Sequence, residues 1–167
     1  EIIESFQFVS KKYILIIAGS SIKNYHLTLL NKINKLNLNN QVYIFKNIKN
    51  KFWFEILFKS KIGLCFYRQD CTSHKFMAGT STKFNNYLMA NVPMLVSFNK
   101  DFLRFKKKFD IFNTVDPTKP KKIAKKINYL FKNKDRYNQI KVKQKKSFNK
   151  YLNFDYQFKN SYKIVLK

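Results

Sequence analysis

The chain has 167 residues, 45% hydrophobic and 17% aromatic, enough for one domain with its own core. Its net charge is +25, from 34 basic residues against nine acidic ones, and only Arg68, Arg104 and Arg136 are arginine. No apolar run nears the roughly 20 residues of a membrane-spanning helix, and so little arginine argues against reading base sequence by bidentate contacts.

Strand-like and helix-like segments alternate along the chain. Ile2, Ile3, Phe6 and Val9 have a helical spacing, and the β-branched run Tyr13 to Ala18, ended by Gly19, predicts a buried parallel strand. Leu29, Leu30, Ile33 and Leu36 form one face of a helix over Tyr25 to Leu38. A short strand at Val42 to Phe45, an aromatic helix at Phe52 to Phe58 and a strand at Ile62 to Tyr67 follow. Next come a helix from about Thr82, a strand at Met94 to Phe98, a helix near Asp101 to Lys107 and a strand at Ile111 to Val115. The segment Asp116 to Pro120 signals a turn and a helix start, and Ile123, Ile127, Leu130 and Phe131 line the helix it opens. Beyond Asp135 the chain reads as one lysine-rich helix running past Phe148 and Tyr151, then a last helix from about Phe154.

Parallel strands joined by helices imply an α/β fold: a Rossmann-like doubly wound sheet with helices on both faces and right-handed crossovers. The expected division is a body over residues 1–152 and a closing helix over 153–167. Ligands of such sheets bind beyond the carboxyl ends of the strands. That rule selects the loops Gly19 to Asn24, Tyr67 to Thr82 and Phe98 to Phe102.

The segment from Gly79 to Pro93 is the most informative. Ser81 or Thr82 can cap a helix there, Asn91 suits a left-handed stop, and Pro93 prevents continuation. Lys83 places a positive charge in the first turn, against the helix dipole, so an anionic ligand explains it better than helix stability does. The plainer alternative is an ordinary capped helix. Gly19, Ser20 and Ser21 likewise read either as a strand-ending turn or as a second wall of an anion site. Tyr67, Arg68 and Asp70 follow a strand and are within reach of the same ligand, and His74 shares their loop.

The remaining signals are weaker. Lys, Asn, Ile, Phe and Tyr are abundant while Gly, Ala, Pro and Arg are scarce, as A/T-biased coding produces without selection for a partner. The charge still draws the chain toward polyanions and acidic membrane surfaces at low salt. Cys65 and Cys71 form no metal-binding spacing and suit a reducing, cytosolic compartment, where both are plain thiols. His26 reads as a surface residue, and no Ser/His/Asp spacing supports nucleophilic catalysis. Glu1 and Glu4 stand where a signal peptide would be basic, and the missing initiator Met suggests a piece of a longer protein.

The stretch Ser81-Thr82-Lys83-Phe84-Asn85-Asn86-Tyr87-Leu88-Met89-Ala90-Asn91-Val92-Pro93 resembles the donor-site segment of retaining GT-B glycosyltransferases of the family-four type. The opening helix and the strand YILIIAGSS resemble the start of that family's C-terminal, donor-binding domain, and Phe154-Asp155-Tyr156 with Tyr162 resembles its closing aromatic segment. The resemblance implies a nucleotide-sugar diphosphate resting on Gly79, Thr80, Ser81, Thr82 and Lys83, with Gly19, Ser20 and Ser21 opposite. It implies that Asn86 takes the place of a ribose-binding glutamate and Ala78 that of a second glutamate, so both family carboxylates are missing. It further implies no tightly bound cofactor or metal, an acceptor-binding domain upstream, and a role in cell-envelope polysaccharide synthesis, cytoplasmic and at most peripheral to the membrane. A basic α/β module that binds nucleic acid or acidic membrane without catalysis is the alternative.

Overall fold

The computed structural model of the chain describes residues 1–20, 24–67 and 72–165. Five short parallel strands carry the fold: β1 (Leu15–Ala18), β2 (Val42–Phe45), β3 (Gly63–Cys65), β4 (Met94–Ser97) and β5 (Phe112–Val115). Helices link them in strict alternation: α1 (Ile2–Ser5), α2 (Tyr25–Lys35), α3 (Asn50–Lys59), α4 (Thr82–Met89), α5 (Lys100–Phe109) and α6 (Pro120–Lys132). Then follow α7 (Lys134–Ser147) and α8 (Phe154–Val165). The predicted α/β class is the observed one, with parallel strands flanked by helices.

Each strand begins where backbone pairing begins. Tyr13 heads the apolar run but stacks on Phe131 of α6, ring centroids 3.5 Å apart, and β1 starts two residues later, where the Leu15 N–H donates to Gln41 O. The Gln41 amide then ties the approach to β1 by donating to the carbonyls of Val9, Ser10 and Tyr13 at 3.1–3.3 Å. Only the first turn of the predicted Ile2–Val9 helix, Ile2–Ser5, is α-helical. Phe6–Phe8 tightens into a 3-10 turn, which packs Phe6 and Val9 against Ile123 and Ile127.

The strands form two hydrogen-bonded groups, β1 with β2 and β3-β4-β5, all in parallel register. Two apolar clusters cover them. One joins Ile3, Phe6, Ile33, Ile123 and Ile127 and places α1, α2 and α6 in one layer. The other surrounds Phe84, with the rings of Phe102, Phe105 and Phe112 at centroid distances of 5.5–5.9 Å, and holds α4 and α5 on the opposite face. Edge-to-face contacts such as Phe84–Phe112, with ring planes 83° apart, contribute beyond plain area burial.

The C-terminal segment departs from one continuous helix. The α-helix gives way at Phe148 to a wider π turn reaching Leu152, and Asn153 restarts the helix by accepting the Tyr156 N–H at 2.8 Å. A short side chain that accepts from its own backbone favours this break. Asp110, in left-handed conformation at φ 48°, stops α5 and receives both Arg136 and Lys143 of α7. No helix among the described residues is long and apolar enough to cross a membrane.

Candidate functional site

Residue chemistry at the start of α4 sets the geometry there. Ser81 is extended, at φ −72° and ψ 124°, and its hydroxyl accepts the Phe84 N–H at 3.2 Å. It is therefore the cap, and Thr82 is the first helical residue. The Ser81 hydroxyl also makes a short hydrogen bond with the Tyr67 hydroxyl, which in turn meets the Cys65 thiol at 3.2 Å. Burial, then the neighbouring Cys65, push the Tyr67 phenol well above its ordinary range. Burial likewise raises the Cys65 thiol, so this network is neutral. Asn91, at φ 52°, supplies the left-handed stop that its position predicts.

Capping uses part of the N-terminal hydrogen-bonding capacity of α4. The Phe84 amide is taken by its own cap, and the Ser81 amide donates to Met77 O at 3.2 Å. Among the described residues the Thr82 and Lys83 amides have no partner. They are the donors the helix start still offers, with the positive end of the helix dipole behind them. The Lys83 ammonium sits over the Tyr67 ring, 5.2 Å from its centroid. This exposed side chain rests against an aromatic face beside these donors.

Two hollows open near this helix. A cavity of about 290 Å³ is lined by Ala18 at the end of β1 and by Lys83 and Tyr87 of α4. Burial raises the Tyr87 phenol to about 12. A second hollow, lined by Gly19, Ser20, His26 and Lys46, lies at the carboxyl ends of β1 and β2. Lys83 and Ala18 thus share one cavity, with the Gly19-Ser20 turn directly beyond it. The strand tips carry two lysines and backbone donors, an arrangement suited to an anion.

The other expected site residues are distributed differently. Gly79, at φ +82°, faces α5, where an added Cβ would come within 3.3 Å of the Phe105 ring. The Thr80 hydroxyl is spent on Phe76 O at 2.8 Å, and Gly79 O accepts from the Asn85 side chain at 3.1 Å. Asn86 is half-buried on α4 and lines neither hollow. His74 packs its ring against Tyr67, centroids 5.7 Å apart, and its Nδ1 is buried without a partner among the described residues. Ser21, Arg68, Asp70 and Cys71 lie outside the described residues.

Two residues at the site escape the sequence reading. His26 is half-buried and lines the second hollow, where a surface position was expected. Its place in the first turn after the Gly19 loop was the available signal. Asp101 accepts the Ala78 N–H at 2.8 Å. A carboxylate thus reaches the position where the resemblance lacks one, from the first turn of α5. No local spacing connects residues so far apart in sequence.

No protein-family model and no curated sequence matches the chain. Solved structures do. Anabaena Alr3699/HepE in complex with UDP-glucose superposes on 86% of the chain at 12% identity with a TM-score of 0.69, and the same protein is known in complex with UDP. WaaG, a glycosyltransferase involved in lipopolysaccharide biosynthesis, superposes on 87% of the chain at 12% identity and a TM-score of 0.63. The chain is similar to these proteins in fold, that of GT-B glycosyltransferases, and spans 38% of the HepE chain and 37% of the WaaG chain.

Proposed function

We propose that this chain is the nucleotide-sugar-binding part of a retaining glycosyltransferase that moves a hexosyl group from a nucleotide-diphosphate donor to an acceptor hydroxyl. The observation that carries it is the meeting of Lys83, at the start of α4, with Ala18, at the end of β1, around one cavity. Fold similarity to a protein captured with UDP-glucose supports the same ligand class.

In this reading Lys83 and the Thr82 and Lys83 amides take the diphosphate, with Gly19 and Ser20 closing the far side. Their role is electrostatic. Negative charge grows on the diphosphate as the sugar bond breaks, and fixed donors in place before the reaction stabilise it without reorganising. Asn86 serves the ribose by a neutral hydrogen bond, about half as strong as a carboxylate would give. Lys46 and His26 extend the cradle toward the base side. An acceptor-binding domain elsewhere in the polypeptide completes the enzyme, which works in the cytoplasm on envelope polysaccharide, peripheral to an acidic membrane.

The alternative nucleic-acid reading requires a single basic stripe. Exposed lysines instead sit in both helix layers, for example Lys35, Lys121 and Lys125 on one and Lys59, Lys107 and Lys108 on the other, which fits biased coding better. Calorimetric titration with UDP-glucose and GDP-mannose tests the proposal. Saturable binding of one of them, weakened about tenfold by Lys83→Ala, as expected for one lost charge-assisted contact, supports it. Binding to DNA that collapses with salt, with no response to either nucleotide-sugar, overturns it.

A further inference from the structure

Helix α3 is apolar on every side but one. Buried Leu57 and half-buried Trp53 and Ile56 mark its inward side, and at helical spacing Phe52 and Phe54 fall on its two flanks. Only the strip of Lys51, Glu55 and Lys59 is polar. A helix apolar nearly all round is ordinarily buried all round, yet Phe52 is 56% exposed and Phe58 58%.

Beside Phe52 the sheet leaves a second apolar surface uncovered. β1 and β2 pair with Ile16 beside Tyr43 and Ala18 beside Phe45, so Tyr43 and Phe45 share one face of the sheet. Ile14, Tyr43 and Phe45 are all exposed. A groove of about 900 Å³ separates this face from α3, with Ile14, Phe45, Ile48 and Phe52 in its walls. The cavity of Lys83 and Ala18 lies toward the other flank of α3, where Trp53 and Leu57 line it. The rim of the groove is cationic: Lys12, Lys49, Lys59 and Lys61 stand there against the single carboxylate of Glu55, and all five side chains are exposed. An exposed apolar floor inside a charged rim marks a surface that meets a partner.

We propose that this face, the Phe52 flank of α3 with Ile14, Tyr43 and Phe45, inserts into the headgroup region of an acidic bilayer. Charge selects the occupant. A second copy would set one lysine rim against another on a chain of net charge +25, and a neutral apolar partner would leave the rim unanswered. Protein partners disfavour such a rim, because lysine is depleted from protein interfaces. Acidic headgroups neutralise it, and the long lysine stems keep the ammonium groups at headgroup level while the apolar side chains pass beneath them. No described helix can span a bilayer, so the contact runs along the surface. The proposal deepens the membrane contact in the reading above and rests on it; the face and its residues are what it adds.

Vesicle co-sedimentation of the 167-residue chain tests this. Vesicles of equal parts phosphatidylcholine and phosphatidylglycerol should take up the chain. The double variant Ile14→Ser/Phe52→Ser should bind them at least about tenfold more weakly, as expected when two apolar side chains no longer insert. Both residues are exposed, so the variant should keep wild-type stability and its response to UDP-glucose, which separates failure here from failure at the strand tips. Insertion is read independently with Phe52→Trp in a Trp53→Phe background, which leaves one tryptophan; lipid brominated on its acyl chains should quench it. Undiminished vesicle binding by the double variant, with no quenching, would overturn the proposal and move the membrane contact elsewhere on the chain. No uptake by acidic vesicles would overturn the face and the membrane contact together. Binding to polyglutamate as strong as to vesicles, without quenching, would overturn it in favour of an acidic protein.

Discussion

The two halves of the sheet have similar sequences and different fates. β4 (MLVS) is buried at every residue between two paired strands. β1 (LIIA) is paired on one edge and half-open on the other. Apolar content therefore does not set burial here; the number of neighbouring strands does. The compact half, built around Phe84 and its ring partners, holds the start of α4 rigidly, while the looser half brings the Gly19-Ser20 turn to the same cavity. A ligand at the strand tips would bridge the two.

The sharpest way to test this contrast is to damage each half in turn. Phe84→Ala removes a ring with no exposed surface from among Phe102, Phe105 and Phe112, and should cost about 3–5 kcal/mol in chemical denaturation. Ile16→Ala, in the looser half, should cost about 1 kcal/mol, below the usual range for a buried isoleucine because the residue is only half-buried. Equal losses at the two positions would break the comparison.

Next in size is Gly63→Ala. An added Cβ would stand 2.5 Å from the Tyr87 ring, and that half-buried ring must shift, costing about 1–3 kcal/mol in thermal or chemical denaturation. This close approach explains why a glycine opens β3, where a β-branched residue would otherwise be favoured.

A smaller, pH-dependent effect belongs to the compact half. Hydrogen bonding to the Arg136 guanidinium, then to Lys143, holds the Asp110 carboxyl well below the usual carboxylate range. The folded-state value is depressed, so the stabilisation is complete above the unfolded value near 4 and is lost as pH falls below it toward the folded value. The pair is over a third exposed at Asp110, so screening leaves about 1 kcal/mol. Denaturation between pH 5 and 2 should show the wild type losing that much more stability than Asp110→Asn; parallel curves would remove the ion pair from the account.

Much of the fold was legible because the decisive signals were local. Apolar runs marked the strands, Asn91 and Pro93 ended α4, and Pro120 opened α6. What stayed hidden depended on distant partners. Nothing near Gln41 in sequence announces that its amide will hold three carbonyls of the segment before β1, and Gln144 reaches Val92 O from α7 in the same way. The half-open edge of β1 was invisible because YILIIA states how apolar a strand is and not how many neighbours it has. At the candidate site, Lys83 was readable from its conflict with the helix dipole. Ser81 was one of two caps the sequence allowed, Thr82 being the other; its tie to Tyr67 depends on where β3 ends and was not foreseen.

The most direct test of the strand-tip site is residue-resolved NMR titration with UDP-glucose. The expected result is a saturable set of amide shifts centred on Gly19, Ser20, Thr82 and Lys83, lost in Lys83→Ala while that variant keeps wild-type stability to within about 0.5 kcal/mol. Shifts scattered over the α6 and α7 lysines and unchanged by Lys83→Ala would contradict it.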